Sequence, residues 1–93
     1  MPDTRADRIR DALAALNPSV VSVQDDSSKH AGHMGARPGG ETHYSVLVVS
    51  DAFTGQGRVA RHRMVNAALE AEFAGGLHAL SLVLRTPVEH AAA

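Results

Sequence analysis

Ile9, Leu13 and Leu16 recur at helical spacing between Arg5 and Leu16, with Ala12 beside them. Thr4 and Asp7 read as a capping box ahead of this first helix, and Asn17-Pro18 as its stop, because proline disfavours helical geometry in the residue before it. Ser19 to Asp25 is valine-rich and weakly alternating, which predicts a short strand at a sheet edge. From Asp26 to Gly40 almost nothing apolar occurs, so this is read as a long exposed loop of the kind that usually carries function. Glu41 to Ser50 is the clearest strand: Tyr44, Val46 and Val48 share one face, Leu47 and Val49 the other, and both faces are expected to be partly covered in mid-sheet.

After a turn over Asp51 to Gly57, with Phe53 available to plug the core, Arg58 to Phe73 predicts a second helix. Its expected buried stripe is Val59, His62, Val65, Leu69 and Phe73, and Gly75-Gly76 is its expected left-handed cap. His78 to Arg85 is a third strand with Leu80, Leu82 and Leu84 on one face, ended by Thr86-Pro87. Residues 90–93 are expected to form a disordered tail outside a core of about 5–89. The order helix, strand, strand, helix, strand predicts an α+β domain. It has a single mixed three-stranded sheet, the first pair antiparallel and the second parallel through a crossover, with helices on one face.

A chain of 93 residues with 44% hydrophobic and 20% charged positions fits one globular domain. No uninterrupted aliphatic run, Val46 to Val49 among them, approaches the length needed to span a bilayer. Residues 1–10 mix Asp and Arg and do not read as a secretory signal, so a cytoplasmic protein without membrane contact is expected. A net charge of −1 lacks the global positive charge of proteins held to nucleic acid by phosphates, so any such binding needs a local patch. With Cys at 0, disulfides, thiolate metal sites and thiol catalysis are all excluded.

Histidine carries the first functional hint: there are 6, against 1 Tyr and 2 Phe. His30 and His33 sit three residues apart on the loop, where imidazoles can reach a borderline metal without straining the fold, although H-x-x-H alone equally describes solvated loop residues. His78 opens the last strand, either bonding a carbonyl at the core margin or serving as a ligand on a rigid strand that faces the mobile loop. His62 and His43 read as structural, and His90 has no reading. Arg58, Arg61 and Arg63 crowd the start of the second helix against its dipole, which suggests an anion there, a nucleic-acid backbone included, or a solvated basic face. Asp25, Ser27 and His30 supply the residue types of a catalytic triad but crowd into consecutive positions with no oxyanion hole, so an enzyme is not expected.

Taken in order, Asp26-Ser27, the histidine loop, Glu41-Thr42-His43-Tyr44, Val48-Val49-Ser50, Phe53-x-Gly55, Arg61-His62-Arg63, Leu77-His78-Ala79-Leu80-Ser81 and Thr86-Pro87 resemble a BolA family protein from about residue 5 to 89. The length resembles that of a stand-alone bacterial-type member. The resemblance implies a fold similar to the class II KH domain. It also implies partnership with a monothiol glutaredoxin and glutathione around a shared [2Fe–2S] cluster, in cluster transfer or iron homeostasis, with no cluster held stably by the chain alone. His78 would be the principal histidine donor and His30 or His33 the loop ligand. Mixed Cys–His ligation raises a cluster's reduction potential. The resemblance implies, alternatively, a DNA-binding transcriptional regulator, with weak binding through Arg58, Arg61 and Arg63. For that reading the Gly-x-x-Gly clamp of KH domains is not matched, since the helix is preceded by Gly55-Gln56-Gly57, and Gly32-His33-Met34-Gly35 lies between strands.

Overall fold

We describe residues 4–26 and 43–93 of a computed structural model of the chain. Helix α1 (Arg5–Leu13) is followed by a 3-10 turn (Ala14–Leu16), strands β1 (Val20–Asp25) and β2 (His43–Val49), a second 3-10 turn (Asp51–Phe53), helices α2 (Arg58–Ala68) and α3 (Glu70–Ala74), strand β3 (Ala79–Arg85) and helix α4 (Pro87–Ala92). The sheet order is β1-β2-β3, with β1 antiparallel and β3 parallel to the central β2. This is the mixed α+β architecture that the hydrophobic pattern predicts. The expected loop over 26–40 lies, apart from Asp26, outside the described residues.

The core forms on one face of the sheet. Tyr44, Val46 and Val48 of β2 pack with Ile9 and Leu13 of α1, Val65 of α2 and Leu69, each almost wholly removed from water, while Leu80, Leu82 and Leu84 close the β3 side. On the opposite face Ser22, Gln24 and Ser81 are exposed and Leu47 is half-buried, while Val49 at the end of β2 is buried, so this face is only partly covered. Phe53 is fully buried, as its place in the turn predicts. The Thr4 hydroxyl accepts from the Asp7 amide at 3.2 Å, whereas the Asp7 carboxylate accepts from Arg10. Asn17 ends the first helical run in the left-handed region, at φ 49.

The second helix departs from its predicted form. It breaks at Leu69, whose φ of −103 and ψ of 13 lie off the helical values, and the stripe is rotated. Val65 and Leu69 are buried, but Val59 is 63% exposed and Phe73 is 37% exposed. At about 100° per residue Val59 stands roughly 120° round the helix from Val65, and the inward side is filled instead by Arg61, Met64 and Ala68. The break swings α3 so that Glu72 accepts from Arg5 Nε at 3.1 Å and Arg8 Nε at 3.1 Å, which ties it to α1. Gly75 donates back to Ala71 and Glu72, and Gly76, at φ 117, supplies the left-handed turn into β3.

The expected tail is also corrected, because residues 87–92 are helical. Thr86 caps this helix: its hydroxyl accepts from the Glu89 amide at 3.1 Å, and Glu89 accepts from the Thr86 amide at 2.8 Å. With Pro87 in the first turn, this is a complete capping box.

Candidate functional site

His78 follows a turn that is anchored in the core. Leu77 is 4% exposed, anchored in the core, and its amide donates to the Glu72 carbonyl at 3.0 Å. One residue on, His78 is exposed at the foot of β3. His43, the first residue of β2, is half-buried and stands in register with Ala79, so parallel pairing sets it beside His78. The two imidazole rings lie 5.8 Å apart, centroid to centroid, at 68° to each other. The His43 carbonyl accepts from the Asp26 amide at 2.8 Å. The Asp26 carboxylate accepts from the Ser45 hydroxyl, and a shallow cavity lined by Asp26, His43, Tyr44, Ala79, Leu80 and Ser81 opens there. This end of the sheet is therefore also where the chain departs, after Asp26, and returns, at His43.

Of the residues predicted to bind metal, His78 is exposed at the foot of β3, and His30 and His33 lie outside the described residues. The structure brings to His78 an imidazole that sequence reasoning treats as structural. The only signal that could have pointed to His43 is strand register, and register between parallel strands is not written in either strand by itself. Among the described residues no group of three His, Cys, Asp or Glu side chains converges as a complete metal site, so His43 and His78 form an open pair. Imidazole nitrogens suit borderline metals, and nothing here offers a thiolate.

The arginine cluster at the start of α2 divides. Arg61 does not project as a free cation: its side chain is 14% exposed and forms a forked pair with Glu89, at 2.6 and 3.1 Å. It also donates to the carbonyls of Gln56 at 2.8 Å and Leu84 at 3.2 Å, and its guanidinium carbon lies 5.8 Å from the centre of the Phe53 ring. Arg61 thus joins the turn, β3 and α4, a role its pattern position alone does not reveal. The hydrogen bond to Glu89 raises the Arg61 pKa further, and the same bond, with that of the Thr86 amide, holds the Glu89 carboxyl at about 2. Arg58 and Arg63 are exposed, and among the described residues neither has a carboxylate partner.

His62 lies at the flank of the buried face and does not reach the strands. Its Nδ1 donates to the Arg58 carbonyl one turn back, at 2.9 Å. With Arg58, Arg61 and Glu89 it lines a groove between α2 and β3, and Glu89 places a negative charge inside that groove. His90, on α4, lies 3.4 Å from Arg85 through its Nδ1. Asp25 ends β1, while Ser27 and His30 lie outside the described residues, so no triad can be assembled from those described. No helix among the described residues is long and apolar enough to cross a membrane.

With this geometry in hand, comparison with known proteins is informative. A SufE-like protein 1, chloroplastic/mitochondrial, from Arabidopsis thaliana is 45% identical over 91 residues, 92% of this chain and 24% of that protein. BolA-like protein 1 of Bos taurus is 47% identical over 75 residues, 81% of this chain and 53% of that protein. The chain therefore spans about a quarter and about half of these two relatives. The structure of BolA1 from Arabidopsis thaliana superposes with a TM-score of 0.83 at 44% identity, covering 94% of this chain and 96% of that one. The family model for BolA-like protein matches residues 13–89, which include β1, β2, the turn that carries His78 and the Arg61–Glu89 clamp, and the chain belongs to that family.

Proposed function

We propose that this chain is a histidine-donating partner of a monothiol glutaredoxin, completing with it and glutathione the ligation of a shared [2Fe–2S] cluster, in cluster transfer or iron homeostasis rather than as an enzyme. The observation that carries this reading is His78, an exposed imidazole on a core-anchored turn in a chain with Cys at 0. The donor chemistry fits: imidazole is an established alternative to thiolate on one iron of such a cluster and raises its potential. His78 is the principal donor, and His30 or His33 the second, from the segment that springs from the same sheet end between Asp26 and His43. Within the chain, Leu77 and its amide bond to Glu72 orient His78, while its exposure leaves the imidazole open to a partner.

The test mixes the chain with a monothiol glutaredoxin and glutathione, reconstitutes iron and sulfide, and records visible absorption and circular dichroism. The expected result is a heterodimer whose spectrum differs from that of the all-cysteine glutaredoxin homodimer. His78→Ala abolishes that spectrum while far-ultraviolet circular dichroism stays unchanged. The isolated chain, lacking thiolates, does not retain a coloured centre through gel filtration. A stable coloured preparation of the chain alone, or a His78→Ala spectrum identical to that of the parent, overturns the reading.

A further inference from the structure

His43 has no part in the function just proposed, yet it is the imidazole that the fold sets beside His78. Register fixes the neighbourhood, because β2 and β3 pair in parallel with His43 opposite Ala79. The backbone on both sides is held: the His43 carbonyl by the Asp26 amide at 2.8 Å, and Leu77 by its bond to Glu72 at 3.0 Å. The ring centroids are 5.8 Å apart. Two imidazoles on one ion, with metal–nitrogen bonds of about 2.0–2.1 Å at a tetrahedral angle, have centroids roughly 5–6 Å apart. The observed spacing therefore suits shared coordination without backbone movement. His78 is exposed and His43 half-buried, so the pair lies at the protein surface. Asp26 lines the cavity beside His43, and its carboxylate adds negative charge near a bound cation.

We propose that His43 and His78 form a two-imidazole site for a borderline divalent cation such as Zn2+, held by this chain alone. Two protein ligands leave the remaining coordination positions to water, so the site is exchangeable rather than a closed structural zinc centre. It shares His78 with the proposed cluster role but does not rest on that role. A divalent cation here occupies the nitrogen that a cluster would need, so zinc and cluster binding are mutually exclusive.

The experiment titrates Zn2+ into the full chain by calorimetry and follows the histidine ring protons by NMR, without glutaredoxin, glutathione or iron. The expected result is one ion per chain, with ring signals of His43 and His78 shifting and those of His62 and His90 unmoved. Loss of an outer-shell partner costs a metal site about 10–100-fold, and loss of a ligand costs at least as much. His43→Gln, which keeps a polar side chain at the start of β2, and His78→Ala should each weaken binding at least about tenfold. The His30→Ala, His33→Ala double variant should bind as the parent does. No Zn2+ binding by the parent chain, parent-like binding by His43→Gln, or a loss in the double variant comparable to that of His43→Gln overturns the proposal. Because the cluster partner is absent throughout, failure here leaves the glutaredoxin reading to its own spectrum, and failure of that spectrum leaves this site standing.

Discussion

Arg61 is the residue whose sequence reading and structural role differ most. As one of three arginines at a helix start it resembles a phosphate contact, yet its guanidinium is shared among two carbonyls, a carboxylate and an aromatic face. A planar five-donor fork can satisfy several fixed acceptors at once, which a lysine at this position could not. The partner's titration makes the pair testable. Glu89 has a carboxyl held at about 2 in the folded chain, against an ordinary value of 4.5. A depressed carboxylate contributes stability that is fully present above the ordinary value and is lost as pH falls through the folded value. The parent chain should therefore lose thermal stability between about pH 4.5 and pH 2 through this group. Glu89→Gln should start lower at neutral pH and show a shallower decline over that window, measured as Tm against pH. An identical pH slope in the two proteins would mean that the pair contributes nothing to folding. Arg63→Glu, an exposed change with no carboxylate partner lost, should stay within about 0.5 kcal/mol of the parent.

At the scale of elements, local patterning predicts the strands and the first helix well, because each presents a repeated apolar face to a single core. The α2–α3 break is different. Ala67 to Glu72 contains no Gly or Pro, so propensity gives no reason to stop at Leu69. The break is accompanied by a tertiary contact: Glu72 sits between Arg5 and Arg8, and the side chains of Arg5 and Glu72 are 11% and 14% exposed. Glu72→Ala leaves two guanidiniums without this acceptor, one of them largely shielded from water. It should cost roughly 1–3 kcal/mol in chemical denaturation, on the scale of hydrogen bonds to charged groups. Asp7→Ala removes an i,i+3 partner from Arg10, with side chains 45% and 47% exposed, and also touches the first turn of α1, yet the ion pair itself is worth only about 0.3–0.5 kcal/mol. Equal losses in the two variants would show that α3 is not docked through Glu72. Helix α4 was legible in principle, since Thr86-Pro87-Val88-Glu89 is a capping box with proline in the first turn. Its shortness, and the absence of an apolar stripe beyond it, hid the signal.

For the whole molecule, the architecture was legible from periodicity, and the exposed position of His78 from its place after a glycine turn at a strand start. The pairing of His43 with His78 was not, because it depends on how two distant segments align, and neither segment alone encodes that alignment. The distribution of charge likewise emerges only when side chains find their partners. The chain has 9 Lys and Arg against 10 Asp and Glu, so phosphate binding rests on cations left over after internal pairing. On α2 the structure removes Arg61 from that set and leaves Arg58 and Arg63 exposed, while Glu89 opposes phosphate in the adjoining groove. Each phosphate neutralised on duplex DNA contributes about −0.9 to the slope of log affinity against log salt, so two arginines permit a slope no steeper than about −2. Duplex binding, measured by fluorescence anisotropy across a salt series, should therefore be weak and shallow in its salt dependence. Arg58→Glu or Arg63→Glu should abolish what binding there is, without altering the glutaredoxin cluster spectrum. A markedly steeper slope, or sequence-selective binding that survives above physiological salt, would require a basic surface other than α2 and would make gene regulation the primary role.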